Sequence, residues 1–219
     1  MTFPAEPNQV GFTNLSWGGQ GQGTEFTCIS NHSERLEVGY RWYDAHHSAP
    51  AFPFGHGLPG YSSGFTYSNL IASQSSVTFT LENSGAVTAA ETPQLYLSFP
   101  PSLGEPPWQL KGFQKTTLPS GGKATVVLPL TPRDFSIWDV ATHGWVGPAD
   151  GLVFKVAVGS SSRDHRLTGN IVATGSTAAD AAATADDDDG QSSAAASVSA
   201  AGRTTAAGGE VAAVAGVEE

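Results

Sequence analysis

The sequence predicts an all-β sandwich, on three observations: seven or so short alternating segments between Ser76 and Ala173, turn residues at nearly every junction, and no amphipathic helix of useful length. Ser76–Asn83 (SVTFTLEN) places Val77, Phe79 and Leu81 on one face, and Asn83-Ser84-Gly85 then offers residues that tolerate a left-handed turn. Pro93–Phe99 (PQLYLSF) alternates Leu95, Leu97 and Phe99 against Gln94, Tyr96 and Ser98. A Pro-rich loop leads into Leu110–Leu118 (LKGFQKTTL), and Ser120-Gly121-Gly122-Lys123 turns the chain into Lys123–Leu130 (KATVVLPL). Phe135–Val140 (FSIWDV), Gly151–Gly159 (GLVFKVAVG) and His165–Ala173 (HRLTGNIVA) complete the series. Trp138 is expected in the core. Cys28 is the single cysteine, so no internal disulfide is possible and packing alone must hold the sheets.

The flanks have a different character. Residues 1–33 are rich in Gly, Gln, Thr and Asn without periodicity and read as an irregular, loop-rich segment. Within 34–64, Leu36–Asp44 (LEVGYRWYD) alternates well enough for one strand, after which Pro50, Pro53, Gly55 and Gly57 block regular structure. This is an extended aromatic connector. Residues 65–174 are the sandwich. Residues 175–219 hold no aromatic residue and no Leu or Ile, too little apolar surface to offset ordering entropy, and a disordered tail is expected.

Charge excludes one function class. Eight of the twenty acidic residues but only Arg203 of the ten basic ones fall in the tail, which carries −7 of the net −10 and leaves −3 for the other 174 residues. No basic stripe exists to neutralise phosphates, so no nucleic-acid partner is expected. No stretch approaches the roughly 20 apolar residues that cross a bilayer, and the first residues lack a signal-peptide pattern. No membrane partner is expected, and the compartment is left open. The sequons at Asn14 and Asn31 would matter only if the chain were exported.

From about residue 34 to 171 the wording Gly39–Asp44 (GYRWYD), Phe52–Leu58 (FPFGHGL), Tyr67–Leu70 (YSNL), Gln94–Pro100 (QLYLSFP), Glu105–Lys115 (EPPWQLKGFQK), Leu130–Val140 (LTPRDFSIWDV) and Val158–Gly169 (VGSSSRDHRLTG) closely resembles glycoside hydrolase family 3 β-glucosidases. It matches the stretch where their α/β sandwich domain gives way to a C-terminal domain with an immunoglobulin-like, fibronectin type III-like fold. Gly57–Phe65 (GLPGYSSGF) departs from the family's shorter GLSYTTF, and the Ala-rich tail has no family counterpart. In the family the nucleophilic Asp lies on a barrel and the acid/base Glu on the α/β sandwich, both upstream of the GYRWYD wording. The resemblance therefore implies an accessory, structural region that is inactive alone.

The same resemblance makes Tyr40, Arg41, Trp42, Tyr43, Asp44, Phe52, Phe54 and His56 candidate interdomain docking residues, with the catalytic domains of a parent glycosidase, or a glycan, as the partner. Either the ribbon folds back on the sandwich as a partial cover, or it exposes an apolar patch. The alternative from another class is a free-standing binding module with Trp17, Trp108 and Trp145 as sugar-stacking platforms; a third is a nonfunctional remnant.

No catalytic, cofactor-binding or metal-binding residues are assigned. Asp44, beside Tyr43 and Arg41, could be paired with Glu37 or Glu34, but nothing in the sequence fixes a catalytic separation, and an ion-paired or solvated carboxylate is the simpler expectation. His46, His47 and His56 are separated by Pro and Gly that give no fixed ligand geometry. The Arg133-Asp134 and Arg163-Asp164 pairs read as ion pairs or caps at turns, and Cys28 as an inert thiol.

Overall fold

The computed structural model describes residues 1–6, 35–57 and 64–174. The expectations for residues 7–33 (with Trp17, Cys28 and both sequons), for the altered path at 58–63 and for the tail at 175–219 lie outside the described residues. Glu34, a proposed partner of Asp44, lies outside them too.

The described chain starts with one short helix, α1 (Tyr40–Ala45), and continues in strands: β1 (Phe65–Ala72), β2 (Ser76–Asn83), β3 (Ala89–Glu91), β4 (Gln94–Ser98), β5 (Gln109–Phe113), β6 (Thr116–Leu118), β7 (Lys123–Pro129), β8 (Ile137–Asp139), β9 (Gly144–Val146), β10 (Val153–Ser161) and β11 (Asp164–Val172). Two antiparallel sheets form the sandwich, one ordered β1-β2-β7 and the other β11-β10-β4-β5. Strands β3 and β6 pair as one small ribbon, and β8 and β9 as another.

Alternation in β2 sets the core. Val77, Phe79 and Leu81 are fully buried, and they meet Leu95, Leu97, Phe154, Val156 and Val158 from the second sheet. Phe154 lies edge-to-face with both Phe99 and Phe135, at 5.2 and 5.1 Å between centroids. Phe135 ends a 3-10 turn, Pro132–Phe135, whose Asp134 carboxylate accepts the Thr131 amide N–H at 2.8 Å in a capping box. Asp134 is thus a cap, as expected.

Three sequence expectations are corrected here. Leu36–Asp44 is not a strand: α1 occupies its second half, entered at Gly39 with φ +64. Leu110–Leu118 breaks after Phe113, so its halves join different sheets as β5 and β6. Trp138 is 48% exposed, because β8 and β9 stand outside both main sheets, and Phe135 three residues earlier fills the core place at 2%.

The outer strands carry irregularities. Between Ser68 and Ile71, β1 gains one residue over β2, with Asn69 at φ 56. One extra residue also sits in β5 at Lys111, and one in β11 at Arg166. These are β-bulges.

One buried ionisable pair lies at the margin of the core. The Tyr67 hydroxyl donates to Glu91 Oε1 at 3.2 Å, Tyr67 stacks on Phe79, and Arg166 covers the Tyr67 ring at 5.0 Å. Burial pushes the Glu91 carboxyl above its ordinary value, outweighing the Tyr67 hydrogen bond and the Arg166 charge. A carboxyl whose folded pKa is raised contributes stability that is full below its unfolded pKa and is lost as pH rises through the folded one. Glu91→Gln, which keeps an acceptor for Tyr67, should raise Tm by a few degrees at pH 7 and leave it unchanged near pH 4. Thermal unfolding at the two pH values checks this, and an equal shift at both would refute it.

Candidate functional site: the ribbon across the four-stranded sheet

Strand β4 is buried at Gln94, Leu95, Tyr96 and Leu97, so both of its faces are covered. The core covers one face; the ribbon 35–57 covers the other. Tyr40 from α1 meets Tyr96 edge-to-face at 6.0 Å and packs on Phe54 at 5.1 Å. Its hydroxyl accepts the Leu110 amide N–H at 2.8 Å. The Tyr96 hydroxyl donates to Gln94 Oε1 at 2.5 Å, and the Gln94 amide donates to Ser160 O at 2.8 Å.

Main-chain groups complete the attachment. The Ser162 N–H donates to Phe54 O at 2.9 Å, and the Arg163 guanidinium donates to Ser48 O at 3.0 Å. Gly55 passes directly over Gln94 with φ +80, and a Cβ there would lie 2.2 Å from Gln94 Nε2. Its glycine is required on both counts. Residues 1–6 extend the ribbon through an antiparallel bridge between Phe3 and Phe52.

Six of the eight candidate docking residues fall into two sets. Tyr40, Tyr43, Asp44 and Phe54 are buried or half-buried, and Tyr40, Asp44 and Phe54 bind the sandwich of this chain. Phe52 and His56 are exposed and lie against each other at 5.4 Å. Between these sets, Trp42 stacks on His46 at 4.4 Å and Arg41 leans over Tyr40. The ribbon thus folds back as a partial cover, while Phe3, Leu36, Val38 and Phe52 still expose 52, 48, 58 and 52% of their surface.

Asp44 has a partner that local sequence could not indicate. Its Oδ1 pairs with Arg163 Nε at 2.7 Å, while Glu37 faces His46 at 3.6 Å. Burial pushes the Asp44 carboxyl above its usual range despite the guanidinium. Arg163 therefore reaches the ribbon rather than Asp164, which pairs with Arg166 at 2.9 Å. Among the described residues, no three His, Cys, Asp or Glu side chains gather as a metal site, and no helix is long and apolar enough to cross a membrane.

Beside this attachment lies a cleft of about 320 Å3, lined by Asp44, His47, Trp108, Ser162, Arg163 and His165. A second cleft of about 340 Å3 is lined by Trp108, Lys155, Val156, Thr168, Gly169 and Asn170. The Trp108 indole borders both. His165 packs between Tyr96 and Trp108, at 5.4 and 4.8 Å, and burial pushes its imidazole below the ordinary value. Sequence reasoning marked Trp108 but missed His165; the tryptophan of the proline-rich EPPWQ wording was the only local signal. Trp145, the other marked tryptophan among the described residues, lies under the Arg133 guanidinium at 3.3 Å and 5.4 Å from Trp138.

Comparison with known proteins places these features in context. Residues 91–162 match the fibronectin type III-like domain model. The chain is 38% identical over 168 residues to a probable β-glucosidase D of Aspergillus flavus, covering 66% of this chain and 22% of that protein. It is 41% identical over 156 residues to β-glucosidase cel3A of Pyricularia oryzae, covering 64% and 20%. Among solved structures, a β-D-glucoside glucohydrolase from Trichoderma reesei superimposes with a TM-score of 0.66 at 32% identity, over 79% of this chain and 26% of the other. β-Glucosidase 3B from Thermotoga neapolitana gives 0.65 at 32%, over 78% and 23%. The chain spans about a fifth of the length of the curated relatives it matches.

Proposed function

Because this chain corresponds to the fibronectin type III-like region of glycoside hydrolase family 3 β-glucosidases, we propose that it is an accessory buttress whose ribbon docks on the catalytic portion of a larger glycosidase. In this reading residues 34–64 are the connector, 65–174 the sandwich and 175–219 an appendage. The observation that carries it is the two-sidedness of the ribbon: Tyr40, Asp44 and Phe54 hold it on the sandwich, while Phe3, Leu36, Val38 and Phe52 stay exposed. Large aromatic and aliphatic side chains held outward on an anchored segment suit a second apolar surface. Retaining glycosidases need two carboxyl groups about 5 to 5.5 Å apart in a shielded cleft. This chain offers Asp44 bound to Arg163 instead.

The test pairs the purified chain with the Aspergillus flavus relative truncated before its matching segment. Alone, the chain should hydrolyse no nitrophenyl glucoside; added to the truncated relative, it should raise recovered activity, and Phe52→Asp should abolish that gain. Turnover by the chain alone, or a gain indifferent to Phe52, would refute the proposal. A second reading, direct contact with glycan, is favoured by a single observation, the Trp108 indole standing between two surface clefts.

A further inference from the structure

Three cations share one flank of the described chain, and each is held over an aromatic ring. Arg41 lies over Tyr40 at 5.8 Å, Lys111 Nζ over Phe99 at 5.2 Å, and Arg133 over Trp145 at 3.3 Å. The Tyr40 hydroxyl, accepting the Leu110 N–H, sets α1 against β5. Phe99 and Phe135 both meet Phe154, which brings the 3-10 turn carrying Arg133 to the same flank. All three cations are half-buried, and none forms an ion pair among the described residues. By contrast, Lys123, Arg163 and Arg166 are paired with Glu82, Asp44 and Asp164, and Arg35, Lys115 and Lys155 are exposed to water.

Burial comes first among the causes that hold the Lys111 ammonium below its ordinary value, and the Arg41 and Arg133 charges add to it against Asp134 and Glu105. Both carboxylates are already engaged: Asp134 accepts the Thr131 N–H and hydroxyl, and Glu105 accepts the Gln109 amide. Three cations against two carboxylates leave the flank at +1, in a chain whose net charge is −10. Half-buried cations fixed on rings attract an added anion more strongly than solvated ones do, because less water screens them.

The chain holds a matching anion. Asp186–Asp189 is a run of four carboxylates within a segment of net charge −7. The last described residue, Thr174, follows β11, and its hydroxyl donates to Gln74 Oε1 at 2.7 Å. β11 and β5 are opposite edges of one sheet, and the pairings set Lys111 level with Leu167 and Thr168, so at ordinary strand spacings Thr174 stands roughly 25 Å from Lys111. Twelve residues lead from Thr174 to Asp186, enough chain to span up to about 40 Å.

We propose that Asp186–Asp189 docks, within the same molecule, on the cationic flank formed by Arg41, Lys111 and Arg133. Carboxylates of the run pair with the two guanidiniums and the ammonium. Docked there, the run meets the ribbon at Arg41, β5 at Lys111 and the 3-10 turn at Arg133, so the appendage pins the connector to the sandwich. The inference is independent of whether the ribbon meets a catalytic portion.

The test treats the full chain with a water-soluble carbodiimide, which couples an amine to a carboxylate in contact, and maps the products by mass spectrometry. A link from Lys111 to the Asp186–Asp189 run is expected within one molecule, in yields well above those at Lys115, Lys123 and Lys155. Arg41→Gln with Arg133→Gln should cut that link about tenfold, and so should about 0.5 M sodium chloride, where the Debye length is roughly 4 Å. Asp186→Asn, Asp187→Asn, Asp188→Asn and Asp189→Asn together lie outside the described residues, so they report on docking even where flank variants fail to fold. They should move the Arg41, Lys111 and Arg133 side-chain NMR signals, and a peptide of residues 183–192 added at millimolar concentration should move them back. Equal links to the other lysines, links between molecules alone, or signals indifferent to the four substitutions would overturn the proposal. Recovery of the signals by sodium sulfate as fully as by the peptide would make the flank a general anion site and overturn the run as its occupant.

Discussion

Phe154→Ala is expected to lower the unfolding free energy by about 3 to 5 kcal/mol. The ring is fully buried on β10 and meets Phe99 and Phe135 edge-to-face. It thereby ties the 3-10 turn Pro132–Phe135 to the four-stranded sheet. Truncation loses the transfer energy of the ring, leaves a cavity between two aromatics held by backbone on opposite sides, and removes both edge contacts. A domain of this kind has roughly 5 to 15 kcal/mol to lose, so the variant should unfold at markedly lower urea. Equilibrium denaturation followed by tryptophan fluorescence measures the loss. A change below about 1 kcal/mol would mean the three rings do not pack as described.

Gly55→Val acts on the ribbon and not on the core. Its φ of +80 is a conformation that β-branched residues avoid, and the new Cβ would fall on the Gln94 amide, which Ser160 O and the Tyr96 hydroxyl hold in place. Strain and overlap together should cost about 2 to 4 kcal/mol. The least expensive escape is for the ribbon to lift, freeing the Ser162 N–H from Phe54 O. Hydrogen exchange at Ser162 should quicken sharply, and proteases should cut between residues 45 and 57, while the sandwich melts near its original temperature. Unchanged Ser162 protection would rule out Gly55 as the point of close approach. In the docking reading, the same variant loses its gain in the complementation assay.

The strands were most legible where one face alone meets the core. Val77, Phe79 and Leu81 alternate cleanly, and β2 has the predicted limits. Legibility failed where tertiary contacts override local pattern. Tyr96 reads as the solvent face of β4, yet the ribbon buries it completely. α1 reads as strand because its bulky residues alternate over only a few positions, and six residues are too few to show helical period. Trp138 reads as core by its size and neighbours, whereas the hairpin that carries it lies outside both sheets. The candidate site was legible in its aromatic half alone. Asp44 and Arg163 are 119 positions apart, and Trp108, in the loop before β5, meets His165 of β11 although those two strands are opposite edges of the four-stranded sheet.

The extra residues at Asn69 in β1, Lys111 in β5 and Arg166 in β11 fall on three of the four strands that border the sandwich. A border strand with an uninterrupted row of peptide groups is a template on which further copies can stack without limit, and a kinked row breaks that template. Concentrated solutions of the protein should accordingly resist conversion to fibrils, and Pro129 at the end of β7 gives the fourth border a partial safeguard of the same kind.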